Sequence, residues 1–253
     1  VKKFLVVVVA LGLALVGCDN AGGGDGAADG KGVEFGDSSN SGDSGDGGPT
    51  GAVSEIDRFL SGYESATGAI TTVHVVVDQK ITGGGQSATS HFEIDMDAQA
   101  GAFAATGNMT GISFTMTIVD GRAYVDMGGM TQDGTLAEMG LSEADLNPAS
   151  EIRRQSAAVT SVEMVGSENV GGVNTQHYVI TYDAAEMNKI LDEKQAGGTV
   201  AGDTVTADVW LDDQMRPMKY QTTMTVSASG VTASVTQTAL YSDYGKPVNI
   251  TRP

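Results

Sequence analysis

Phe92, Ile94 and Met96 alternate with His91, Glu93, Asp95 and Asp97 in the stretch SHFEIDMD, residues 90–97. A period of two predicts a strand with one dry face and one wet face. The same alternation runs through GISFTMTIVD, where Ile112, Phe114, Met116 and Ile118 fall on one side. In VTADVWLDD, Val205, Ala207, Val209 and Leu211 oppose Thr206, Asp208 and Trp210. Residues 218–229 and 231–243, dense in Thr, Ser and Val, read as two more strands joined around Gly230, and further strands are expected over 71–82 and 173–183. Gly83-Gly84-Gly85 and Asp120-Gly121 read as hairpin turns. A phosphate cradle at the triple glycine would need a following Lys-Ser/Thr and a helix start, and neither is there.

Three stretches change period. SEIDRFLSGYESATG opens on Ser54 as N-cap, ends at Gly68, and places Ile56, Phe59, Leu60 and Tyr63 on one stripe. A second helix is expected from Pro148 to about Val159, with proline acceptable in a first turn. DAAEMNKILDEKQAGG is the third: Asp183 caps it, Lys194 lies late, Gly197-Gly198 stops it, and Met187, Ile190 and Leu191 form its apolar face. Many antiparallel strands with few short helices make an α+β fold, with the helices covering one face of a sheet.

The first 52 residues follow another logic. Lys2 and Lys3 precede an apolar run over residues 4–16, which at ~1.5 Å per residue spans roughly 20 Å, short of the ~30 Å hydrocarbon layer. Residues 1–17 therefore read as an export signal rather than a permanent span. Cys18, the only cysteine, cannot form an internal disulfide. Leu15-Val16-Gly17-Cys18 resembles a bacterial lipobox, which implies cleavage before Cys18 and a diacylglyceryl group on its sulfur; the other reading is an ordinary signal with a chance cysteine. Two acyl chains make a firm membrane tether. Residues 18–52 are rich in Gly, Asp and Ser and cannot bury enough surface to offset backbone entropy, so a disordered linker is expected there. Its aspartates lack EF-hand spacing. The folded domain is then 53–253.

A net charge of −18 argues against nucleic acid as a partner. No catalytic set emerges: there are three histidines, His74, His91 and His177, and no Gly-x-Ser-x-Gly elbow. A structural metal would lack cysteine ligands within the domain, so metal, cofactor and enzyme activity are all expected to be absent. Asp95 and Asp97 fall on the wet face and read as solvated. Arg153 and Arg154, the one adjacent basic pair of the domain, read as a solvated helix face.

The eleven methionines are flexible apolar groups suited to variable partners or to filling core gaps. Four segments carry a family resemblance. YSDYGKPVNITRP (241–253), ADVWLDDQMRPMKYQ (207–221), VDGRAYVDMGG (119–129) and VGSENVGGVNTQHYVITYD (165–183) resemble, in order, segments of the actinobacterial LppX/LprG/LprF lipoproteins. That resemblance implies a curved antiparallel β-sheet half-barrel with helices packed on the concave face, similar to the carrier LolA. It also implies an apolar cavity for acylated lipid or glycolipid carried across the cell envelope, on the extracytoplasmic face of the cell membrane. An envelope transport protein would be a natural partner. The dry-face candidates for lining such a cavity are Val75, Phe92, Ile94, Met96, Phe103, Phe114, Met116, Val125, Val209, Leu211, Met218 and Met224, any of which the pattern alone would equally place in solid core. The alternative function is a non-catalytic accessory or sensor lipoprotein that binds a protein partner.

Overall fold

The computed structural model describes residues 54–253 except 140, 143–145, 194–197 and 229. The expected signal segment, Cys18 and the linker lie outside the described residues, as do Val53, Lys194 and Gly197.

Two-residue turns build most of the sheet. β1 (Thr72–Gly83) and β2 (Gln86–Asp97) pair with Gly83 opposite Gln86, so Gly84 and Gly85 alone reverse the chain. Their φ values of 59° and 77° are those of a type I′ turn, whose twist suits a hairpin and which a side chain resists. Between β4 (Ile112–Val119) and β5 (Arg122–Met127), Asp120 and Gly121 do the same at 52° and 71°. β3 (Ala102–Met109), β6 (Met130–Thr135), β7 (Val159–Val170) and β8 (Val173–Asp183) join their neighbours in similar fashion. Three of these turns share a staple: Asn108, Asp126 and Asn169 each accept a hydrogen bond from the backbone N–H three residues on, at 2.7, 3.1 and 3.0 Å.

β9 (Thr199–Val200), β10 (Thr204–Leu211), β11 (Pro217–Ala228) and β12 (Val231–Ser242) complete twelve strands. The order is β6-β5-β4-β3-β2-β1-β12-β11-β10-β8-β7, with β9 paired to β11, and every pairing is antiparallel. The first and last strands therefore meet in the middle. Helix α1 (Glu55–Gly68) starts at Ser54, whose Oγ accepts from the Asp57 N–H at 3.0 Å. Asn147 caps α2 (Pro148–Ser156), and Asp183 caps α3 (Ala184–Glu193) by accepting from Ala185 and Glu186 at 2.8 and 2.9 Å.

One face of the sheet carries the core. Val73, Val75 and Val77 of β1 are buried, opposite Met96, Ile94 and Phe92 of β2. The cluster extends through Phe103, Phe114, Met116 and Ile118, and is capped by Leu136 and Leu146. A second cluster, built on Val205, Ala207, Val209 and Leu211, receives Phe59 of α1 with Ile190 and Leu191 of α3. The sheet curves around this side. Met96 and Tyr182 lie on β2 and β8, five strand spacings apart and thus roughly 24 Å on a flat sheet. Both nevertheless border one small cavity. The fold is an α+β half-barrel with its helices on the concave face.

Gly107 shows how tightly the strands approach. It stands in register between Phe92 and Phe114, whose rings meet edge to face at 5.8 Å and 88°. A Cβ there would lie 2.1 Å from the His91 carbonyl oxygen.

Several expectations need correction. The second helix stops at Ser156, and Val159 is already the first residue of β7. Trp210 does lie opposite the core face, yet it is only 5% exposed. Its ring stacks on His177 at 4.2 Å, Lys219 Nζ sits 3.9 Å above it, and Nε1 donates to Glu168 Oε2 at 2.5 Å. Asp95 is not simply solvated, because His74 Nδ1 lies 2.8 Å from its Oδ1. Asp97 accepts the N–H groups of Gln99 and Ala100 in the following turn. Arg153 is exposed but bridges α2 to α1 through Glu64 Oε1, at 2.5 and 2.9 Å. Arg154 is largely buried beside Glu151, 3.1 Å away.

Candidate ligand cavity

A cavity of about 50 Å³ lies between the concave sheet and helices α1 and α2. The sheet supplies Val73, Val75, Met96, Val209 and Pro217, and Ile70 closes the side where α1 runs into β1. From the helices come Tyr63 and Thr67 of α1 and Glu151, Ile152 and Gln155 of α2. Tyr182, Tyr220 and Tyr241 reach in from three strands. The local reason is parity. The inward positions of β1 and β10 that reach the cavity are valines, Val73, Val75 and Val209, whereas those of β8, β11 and β12 include tyrosines long enough to reach the helices.

Among the sequence candidates, Val75, Met96 and Val209 line this cavity. Phe92, Ile94, Phe103, Phe114 and Met116 belong to the first core cluster, and Val125 packs against it. Leu211 belongs to the second cluster, with Met224 packed on it. Met218 is half-buried and lies in neither cluster nor the lining, for the pairing slips by one residue between Trp210 and Leu211 and sets Pro217 opposite Leu211. Alternation left out the tyrosines, Thr67, Glu151 and Gln155. The available signal was the run of tyrosines at inward parity; the polar residues lie on helices whose orientation periodicity alone does not set.

The polar part of the lining is neutral apart from one acid. Burial pushes the phenols of Tyr63, Tyr182, Tyr220 and Tyr241 well above their ordinary range, so they remain protonated at any ordinary pH. Glu151 is 4% exposed; its Oε1 accepts from Gln155 Nε2 at 2.6 Å and its Oε2 faces Arg154. Thr67 is 3% exposed and its Oγ1 has no hydrogen-bond partner.

Next to this cavity is a more open hollow of about 210 Å³, bordered by Ile70, Thr72, Gln214, Arg216 and Tyr244. Ile70 borders both spaces. The turn after β10 shapes its rim: Asp212 accepts from the N–H groups of Gln214 and Arg216, and its Oδ2 holds the Arg216 guanidinium at 2.7 Å. That guanidinium also lies 4.7 Å from the centre of the Tyr244 ring. Among the described residues, no group of three His, Cys, Asp or Glu side chains could hold a metal ion. Nor is any helix there long and apolar enough to cross a membrane.

A concave antiparallel sheet roofed by short helices, with a tyrosine-lined cavity between, defines a half-barrel class of fold. The structure is similar to that of the Mycobacterium tuberculosis lipoprotein LppX, with a TM-score of 0.49 and 18% identity over 78% of this chain and 98% of that one. It is also similar to LprF from Mycobacterium bovis, at 0.47 and 19% over 80% and 99%. A LolA superfamily protein from Nitrosomonas europaea matches at 0.32 and 10% over 78% and 97%. No family model matches the chain, and no curated protein matches it.

Proposed function

We propose that the chain is a lipoprotein anchored through Cys18 to the extracytoplasmic face of the cell membrane. Its domain, residues 53–253, binds the acyl part of a lipid or glycolipid between sheet and helices and carries it across the cell envelope. The observation that carries this reading is the cavity itself, apolar on the sheet side and roofed by helices rather than by a second sheet. Its present volume of about 50 Å³ is far too small for a long acyl tail. A whole long tail enters only if α1 and α2 lift from the sheet. Burying a sixteen-carbon chain at ~0.8 kcal/mol per methylene contributes roughly 12 kcal/mol, which works in favour of such a movement. The Arg153–Glu64 bridge joins the two helices, and its exposed position makes it a weak restraint on their movement.

Solvent extraction of the purified protein followed by mass spectrometry tests this reading. The expected result is an acyl lipid in stoichiometric amount, or its uptake from vesicles. Protein that is free of lipid and takes none up overturns it. The small cavity supports the second reading, an accessory or sensor lipoprotein that binds a protein partner, and lipid-free protein would favour that one. The tether has its own test. Cys18→Ser is expected to release the protein or leave its signal uncleaved, and a processed variant that stays on the membrane would refute the lipidated cysteine.

A further inference from the structure

Four polar side chains cross the dry face of the sheet in one row. Ser90 of β2, Gln79 of β1, Gln237 of β12 and Thr222 of β11 stand opposite one another in register. All share the inward parity of their apolar neighbours, and none is more than 5% exposed. Thr222 Oγ1 donates to the Thr206 carbonyl at 2.9 Å. The glutamines are less well served: among the described residues, Oε1 and Nε2 of Gln79 and Nε2 of Gln237 have no hydrogen-bond partner. Neither glutamine borders the tyrosine-lined cavity or the hollow beside it. Buried amides left unpaired oppose folding, so stability does not account for them.

Their place in the sheet does. Hairpins take their register from their turns, but no turn joins β1 to β12, the first and last long strands of the domain. The inward residues around the glutamines are small or aliphatic: Val75, Val77 and Ile81 on β1, Val235 and Ala239 on β12. A slip by two residues would keep the same faces dry, so alternation does not resist it. Such a slip would, however, set each glutamine opposite a valine, an isoleucine or an alanine. Directly opposed, the two amides are within reach of each other. After a slip they stand on the diagonal, with Cβ atoms roughly 7–8 Å apart and an aliphatic side chain opposite each.

We infer that the Gln79–Gln237 pair fixes the alignment of β1 against β12, at some loss of stability to the folded state. Cross-linking tests it in the full chain, with Cys18→Ser so that only introduced thiols react. Val76→Cys with Leu240→Cys reports the observed alignment, and Val76→Cys with Thr238→Cys or Ser242→Cys reports a slip by two in either direction. Each protein is refolded from urea and oxidised with copper phenanthroline, and the linked fraction is read on non-reducing gels. With both glutamines present, the observed alignment should be favoured about tenfold over either slip. In Gln79→Leu/Gln237→Leu that preference should fall to about threefold or less, while the urea midpoint stays the same or rises. Gln79→Leu alone should have a lower midpoint than the double variant, because it strands the other amide. An undiminished preference in the double variant overturns the inference. So does a double variant that loses its fold, which would make the glutamines stabilising rather than discriminating.

Discussion

The concave and convex faces of this sheet are made by the same strands and held by different physics. Along β1, Val73, Val75 and Val77 turn inward and are almost fully buried. His74 and Asp78, between and beyond them, turn outward and pair across the strand boundary with Asp95 and His91, each at 2.8 Å. Packing dominates inside, where apolar area leaves water. Outside, each contact is a hydrogen bond or ion pair in partial contact with solvent and is worth little alone. Trp210 breaks this division, for it brings interior-like burial to the outer face. The contrast teaches that a wet face read from alternation can still hold a packed centre.

Substitutions at the two faces break the comparison by amounts that can be ranked. Phe103→Ala removes a ring buried between β2 and β4 and should cost about 3–5 kcal/mol in urea unfolding. Trp210→Ala should cost about 2–3 kcal/mol, somewhat less because water can fill the space it leaves on the outer face. A loss under 0.5 kcal/mol would return Trp210 to the status of an ordinary surface residue. Gly107→Ala forces its Cβ against the His91 carbonyl and should cost about 1–3 kcal/mol, read from the same unfolding curves.

The smallest expected effect is a pH dependence. The hydrogen bond that Asp78 Oδ1 accepts from His91 Nδ1 raises the His91 pKa above its ordinary value. A raised histidine contributes stability that is fully present below its unfolded pKa of about 6.5 and is lost as pH climbs through the folded value. Because both groups are half-exposed, the contribution should be a few tenths of a kcal/mol. His91→Gln should therefore lower Tm slightly at pH 5 and leave it nearly unchanged at pH 8, and added salt should shrink the effect. A loss of Tm confined to pH 8 in the variant would reverse the sign assigned to this pair.

Much of the sheet was legible because its strands alternate strictly and its turns carry glycine with Asp or Asn. β2, β4 and β10 were readable for that reason. β3 was harder, as its inward positions include Ala105 and Gly107, whose small size hides the period. β6 and β7 lie at the sheet's two edges and are largely exposed, with β7 bulged twice, so neither shows a dry face at all. The cavity was legible only from its sheet side, through Val75, Met96 and Val209. Its roof depends on how α1 and α2 settle on the curve. That is fixed by contacts such as Phe59 on Tyr178, 4.8 Å apart, between residues distant in sequence.

The pairing of β1 with β12 has a bearing on how the chain folds. These two ribbons are separated by nearly the whole domain in sequence, yet they form the central seam along which the two half-sheets join. Until residues 231–242 are available, each half exposes a raw edge capable of pairing with a neighbouring molecule. Assembly should accordingly be slow and intolerant of C-terminal truncation, with the final ribbon acting as the zip that closes the garment.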